Sequence, residues 1–119
     1  MTIILTDTPL EGLKLIKRNK IEDNRGYLSR FFCIDDLNSS KDRFNISQIN
    51  YTSTFKKGTV RGMHFQIGSF AEKKIVNCLQ GEIYDVAVDL RPDSKTFLHW
   101  YSQILSKENL YSLYIPKGF

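Results

Sequence analysis

The stretch "EIYDVAVDLRPDSKTFLHWYSQIL", residues 82–105, decides the fold. Two runs rich in β-branched and aromatic residues, 82–90 and 97–105, flank "RPDSKT" (91–96), a turn in which Pro92 suits its fixed φ. Side chains alternate along a strand, so Tyr84, Val86, Val88 and Leu90 share one face and Ile83, Asp85, Ala87 and Asp89 the other. The first set reads as sheet core. The second is too polar for core and too apolar for plain surface, which is the character of a face that lines a cavity.

The same punctuation continues outward. Upstream, "KKIVNCLQ" (73–80) meets the first run through Gly81, a hairpin signal; downstream, "SKEN" (106–109) turns the chain into "LYSLYIP" (110–116). "LKLIKR" (13–18) alternates, "DNRG" (23–26) is a turn, and "YLSRFFCI" (27–34) follows as a strand. In the polar "DDLNSSKDRF" (35–44), Asp35 or Asp36 is placed to cap a short helical turn ahead of Leu37. "ISQINYTST" (46–54) alternates, "KKG" (56–58) turns the chain into the strand-like "TVRGMHFQ" (59–66), and "IGSFAE" (67–72) reads as a loop. Many short antiparallel strands with no long helical period predict an all-β sandwich or barrel, with a jelly roll as the leading arrangement. The 119 residues suit one domain, 1–119.

Composition excludes several classes. Seventeen Lys and Arg against thirteen Asp and Glu give a net charge of +4, which favours an anionic ligand. The basic residues form no long run, which argues against nucleic acid. No apolar run reaches the roughly 18 residues of a membrane span. The N-terminus lacks the basic region of a signal peptide. Cys33 and Cys78 lie far apart with no metal-type spacing, so a reduced, cytoplasmic protein is expected.

The chemistry-bearing residues allow two readings each. Arg61 and His64 are three apart, so a regular strand would send them to opposite faces; irregular backbone at Gly62 would bring both into one pocket. The plainer alternative is an exposed Arg61 and a half-buried, hydrogen-bonded His64. Lys74 opens a strand and is either a solvated strand end or a pocket cation. Arg25 is either a turn charge or a ligand contact. Gln48 and Asn50 share one face, marking a polar cavity or an exposed edge. His99 reads as a packing residue. No metal site is expected: a metal-binding barrel would offer paired His residues with a carboxylate soon after, and "MHFQ" lacks the second ligand. Phosphate loops, dinucleotide fingerprints and nucleophile elbows are also missing.

Taken together, "DNRGYLSRFFC" (23–33), "QINYTS" (48–53), "VRGMHFQ" (60–66), "EKKIVNCLQGEIYDVAVDLRPDSKTF" (72–97) and "YIPKGF" (114–119) resemble the dTDP-4-dehydrorhamnose 3,5-epimerase family of nucleotide-sugar epimerases. The resemblance implies a cupin-like jelly roll (a double-stranded β-helix), a homodimer and no cofactor. It implies a nucleoside-diphosphate 4-keto-6-deoxyhexose as substrate, dTDP- or CDP-linked, used in surface-polysaccharide precursor synthesis. The ketone acidifies the C3 and C5 protons, one of which a base removes to give an enolate. By resemblance His64 is that base and Lys74 stabilises the enolate. Arg61 does the same or holds the diphosphate, Arg25 contacts the nucleotide phosphates, and Gln48 and Asn50 lie in the sugar and nucleotide region. Asp85 matches a buried pocket carboxylate that orients His64. In the family "IPKGF" runs on into further strands that carry the general acid, so the resemblance implies a fold incomplete at the C-terminus and a general acid beyond Phe119. Arg30 stands where typical thymidine-sugar epimerases carry an acidic residue. That departure leaves open the nucleotide (dTDP or CDP) and the carbon epimerised (C3, C5 or both); the alternative readings are a related 3,4-ketoisomerase or single-site epimerase, and an inactive nucleotide-sugar-binding fragment.

Overall fold

The computed structural model of the chain describes residues 2–38 and 43–119. Among the described residues eight strands form: β1 (Ile3–Asp7), β2 (Lys14–Arg18), β3 (Lys20–Asp23), β4 (Gly26–Ser29), β5 (Lys74–Asn77), β6 (Glu82–Val88), β7 (Trp100–Ser106) and β8 (Ser112–Ile115). One helical turn, α1 (Ile34–Leu37), and a 3₁₀ turn at Gly68–Phe70 complete the elements. The main sheet has the order β1-β2-β8-β5, all antiparallel. β3–β4 and β6–β7 are separate two-stranded hairpins.

Alternation gives the main sheet two working faces. Ile16, Tyr114 and Ile75 point to one face, where Ile3, Leu37 of α1 and Phe44 cover them. Leu15, Leu113 and Val76 stand in register on the other, where Leu105 and Tyr101 of β7 pack against them. The β6–β7 hairpin is thus a second layer. Its inner residues Ala87 and Tyr101 join a core with Leu10 and Leu13, while Tyr84, Ile104 and Trp100 face outward.

A buried cation ties the sheet to the 31–34 segment. Arg18 shares the face of Ile16, and all its partners are neutral: the carbonyls of Phe31 and Leu110, the Ser112 hydroxyl and the Asn77 side-chain oxygen. Its guanidinium also stacks 4.8 Å from the Phe31 ring centre. Burial pulls its pKa down to about 10, so it stays charged at neutral pH.

A second hub closes the far end of the β6–β7 hairpin. The fully buried Asp89 carboxylate accepts from Arg91 N (3.0 Å), Nε (2.9 Å) and Nη2 (2.9 Å), Ser94 Oγ (2.5 Å) and Thr96 Oγ1 (2.6 Å). Burial alone would raise its pKa; those donors outweigh burial and hold it below the usual carboxylate range. Arg91 also lies 4.8 Å from the Phe119 ring centre, and Leu90 N donates to Gly118 O, so the hub fixes "IPKGF" to the end of β6.

Several sequence expectations need correction. The runs either side of Gly81 do not form a hairpin: β5 pairs with β8 and β6 with β7. Gly81, at φ +74°, instead carries the chain from one sheet to the other. The faces of 82–90 are reversed, because Ala87 and Asp89 are buried while Tyr84 is 65% exposed. Asp89 is tolerated inside because its own turn supplies every donor. The strand expected over 27–34 ends at Ser29. The helical turn does follow, but its N-cap is Cys33, with Asp35 and Asp36 in the first turn. Residues 46–54 and 59–66 join no sheet among the described residues and are exposed throughout; alternation supplies a face, not a partner. The turns at 24–25, 57–58 and 91–96 fall where the sequence placed them.

Candidate active site

Register positions the site. Lys74 pairs with Ile115, two residues from the Val76–Leu113 pair, so it projects from the face of the main sheet that the β6–β7 hairpin covers. Asp85 lies opposite Gln103 on the inner face of that hairpin. Lys74 and Asp85 therefore meet between the two layers. His64 arrives from the irregular 59–66 segment, where Gly62 at φ +111° breaks the backbone, as expected from sequence.

His64, Phe65, Gln66, Glu72 and Lys74 line an open cleft of about 270 Å³. Lys74 Nζ stands 3.7 Å from Glu72 Oε1. Behind it, burial pushes the Asp85 pKa up, opposed by the Val86 N–H and by the charge of Lys74. Asp85 Oδ2 is buried with no hydrogen-bond partner among the described residues. An imidazole and an ammonium on one cleft, backed by a carboxylate, can remove a proton from carbon and stabilise the oxyanion that results.

The remaining expected residues lie elsewhere. Arg61 is not among the residues lining this cleft; it donates to Thr54 Oγ1 at 3.3 Å. Gln48 and Asn50 are exposed in the irregular stretch. Arg25 sits at the tip of the β3–β4 hairpin, bonded to Asp23 through Nη2 at 2.6 Å. That bond depresses the Asp23 pKa and raises that of Arg25. Arg25 lines a different open groove, with Ile21, Asp23, Gly26, Tyr27 and Leu28. His99 is exposed. Sequence reasoning missed Phe65, Gln66 and Glu72. The available signal for Glu72 was its place two residues before Lys74, which puts both side chains on one side. Among the described residues, no group of three or more His, Cys, Asp or Glu could hold a metal ion.

A family model described as dTDP-4-dehydrorhamnose 3,5-epimerase matches residues 7–119. The chain belongs to the dTDP-4-dehydrorhamnose 3,5-epimerase family. It is 41% identical over 107 residues to the dTDP-4-dehydrorhamnose 3,5-epimerase of Sinorhizobium fredii, covering 90% of this chain and 55% of that protein. The Escherichia coli enzyme of the same name is 34% identical, with 100% and 63% covered. Among solved structures, the Bacillus anthracis dTDP-4-dehydrorhamnose 3,5-epimerase with TDP and pyrophosphate bound superimposes with a TM-score of 0.93 at 35% identity, covering 98% of this chain and 67% of that one. A Legionella pneumophila 3,5-epimerase in complex with dTDP-4-keto-L-rhamnose gives a TM-score of 0.84 at 38% identity, covering 98% and 62%. The all-β, cupin-like jelly-roll reading stands with these neighbours. The chain spans about 55–65% of the length of the curated relatives above. Arg30 Nη1 lies 3.8 Å from Asp36 Oδ2. No helix among the described residues is long and apolar enough to cross a membrane.

Proposed function

We propose that this protein epimerises a nucleoside-diphosphate 4-keto-6-deoxyhexose, dTDP- or CDP-linked, at C3, C5 or both. The observation that carries the reading is the cleft shared by His64 and Lys74, with Asp85 behind the lysine. A neutral imidazole suits proton abstraction near pH 7. His64 takes the proton next to the ketone, and the bond electrons pass to the keto oxygen as an enolate. The Lys74 ammonium meets that charge. Returning a proton to the opposite face completes the inversion. Arg61 and Arg25 serve the diphosphate, and Gln48 with Asn50 the sugar and nucleotide. No cofactor is needed, since the ketone itself acidifies the carbon.

The bound TDP of the Bacillus anthracis relative supports a thymidine nucleotide. We also infer a homodimer. The β3–β4 hairpin stands apart from the main sheet with Ile21, Tyr27 and Leu28 exposed, a face suited to a second copy. Sedimentation at twice 13.9 kDa is the expected result, and a monomer at all concentrations would remove the inference. Two free cysteines support a reducing, cytoplasmic setting.

The function is tested by incubating the protein with a dTDP-linked 4-keto-6-deoxyhexose in D₂O and locating deuterium by NMR. Label at both carbons supports the 3,5-epimerase; label at one carbon gives a single-site enzyme. Binding of dTDP without any label sinks the catalytic reading and leaves a nucleotide-sugar-binding protein.

A further inference from the structure

Lys74 has two carboxylates within its influence. Glu72 lies at the rim of the cleft, 3.7 Å from its Nζ and 41% exposed. Asp85 lies behind it on the inner face of β6, with a buried Oδ2 that has no hydrogen-bond donor among the described residues. The groups facing Asp85 narrow the choice of a donor for that oxygen. The Val86 N–H favours the charged carboxylate. Gln103, opposite on β7, accepts from Tyr101 Oη at 2.8 Å and donates one N–H to Ile104 O at 3.2 Å, and gives none to Asp85 Oδ2. Lys74 remains, with three donors on a flexible four-carbon stem.

We propose that Glu72 is a positioning residue that holds the Lys74 ammonium at the mouth of the cleft and away from the buried Asp85 oxygen. This rests on the reading of Lys74 as the group that meets the oxyanion. Drawn fully onto a buried carboxylate, the ammonium would be neutralised and withdrawn from the ligand. An exposed ion pair is weak and easily displaced. A ligand oxygen entering the cleft therefore competes with Glu72 and not with a buried partner.

The test is a carboxyl ¹³C titration of Asp85 in the full chain, for wild type, Glu72→Gln, Lys74→Met and the double variant. Releasing Lys74 by Glu72→Gln lets it swing to Asp85, so the Asp85 midpoint falls by about one pH unit. In the Lys74→Met background the same substitution leaves the midpoint in place, because the cation that moves is gone. A midpoint unmoved by Glu72→Gln overturns the proposal. So does an equal fall in the Lys74→Met background, which marks a direct through-space effect of Glu72. The titration needs no turnover, so it reads Glu72 even if wild type incorporates no deuterium. If wild type does exchange, Glu72→Gln lowers the rate about tenfold with dTDP affinity kept, and Glu72→Asp restores part of it.

Discussion

Replacing Asp89 with Asn keeps the shape of the side chain and removes its charge. Five donors converge on the two oxygens, and the carboxylate is fully buried. The amide's least costly orientation puts its NH₂ where Oδ2 was, since the Ser94 and Thr96 hydroxyls can rotate and accept. Arg91 Nη2 then faces a donor. Hydrogen bonds to a charged group are worth about 1.5–3 kcal/mol and neutral ones about 1 kcal/mol. Losing the charge on the Arg91 contacts, with Arg91 itself 30% exposed, and weakening two hydroxyl bonds gives a loss of about 3 kcal/mol. For a chain of this length that lowers Tm by about 12 °C. Urea unfolding followed by far-UV circular dichroism reads the difference. The pH dependence is a second check. The folded-state pKa of Asp89 is depressed, so its stabilisation is fully present above the unfolded value of about 3.9 and is lost as pH falls below it. The gap between wild type and Asp89→Asn is therefore constant above about pH 5 and closes on acidification. A loss under about 1 kcal/mol, or a gap that widens in acid, would refute the hub as the anchor of β6.

Gly118→Ala places a Cβ 2.4 Å from Arg91 Cγ at φ +90°, so it should destabilise by about 2 kcal/mol and free Phe119, which proteolysis of the C-terminus would detect. Arg18→Met keeps much of the stem's packing but strands the Phe31 and Leu110 carbonyls; a loss of about 2–3 kcal/mol in urea unfolding is expected, and a neutral result would show that solvent replaces the guanidinium.

The two strands and the turn of the β6–β7 hairpin were legible because what specifies them is local: two strand-like runs and a Pro-containing turn. Its orientation was not, since the burial of Asp89 depends on Arg91, Ser94 and Thr96, which read from sequence only as turn formers. Gly81 shows the same limit. A positive-φ glycine between two strand-like runs fits a hairpin and an inter-sheet corner equally, and the choice is made by β8, more than thirty residues later. Nothing local in the sequence marks Arg18 as buried, because the carbonyls that receive it come from residues 13 and 92 positions away. In the cleft, strand period alone left the plainer readings of His64 and Lys74 open, and only the resemblance carried by "RGMHFQ" and its neighbouring motifs singled them out. Which of the other polar residues join them depends on how the irregular 59–66 segment lies, and no periodicity encodes that.

The cleft as a site of proton transfer is tested most directly by comparing wild type with His64→Ala in D₂O, using a dTDP-linked 4-keto-6-deoxyhexose. Wild type is expected to place deuterium at C3, C5 or both. His64→Ala is expected to lose exchange by about a hundredfold or more, while its affinity for dTDP stays close to that of wild type. A variant that exchanges at the wild-type rate would contradict the assignment of the base.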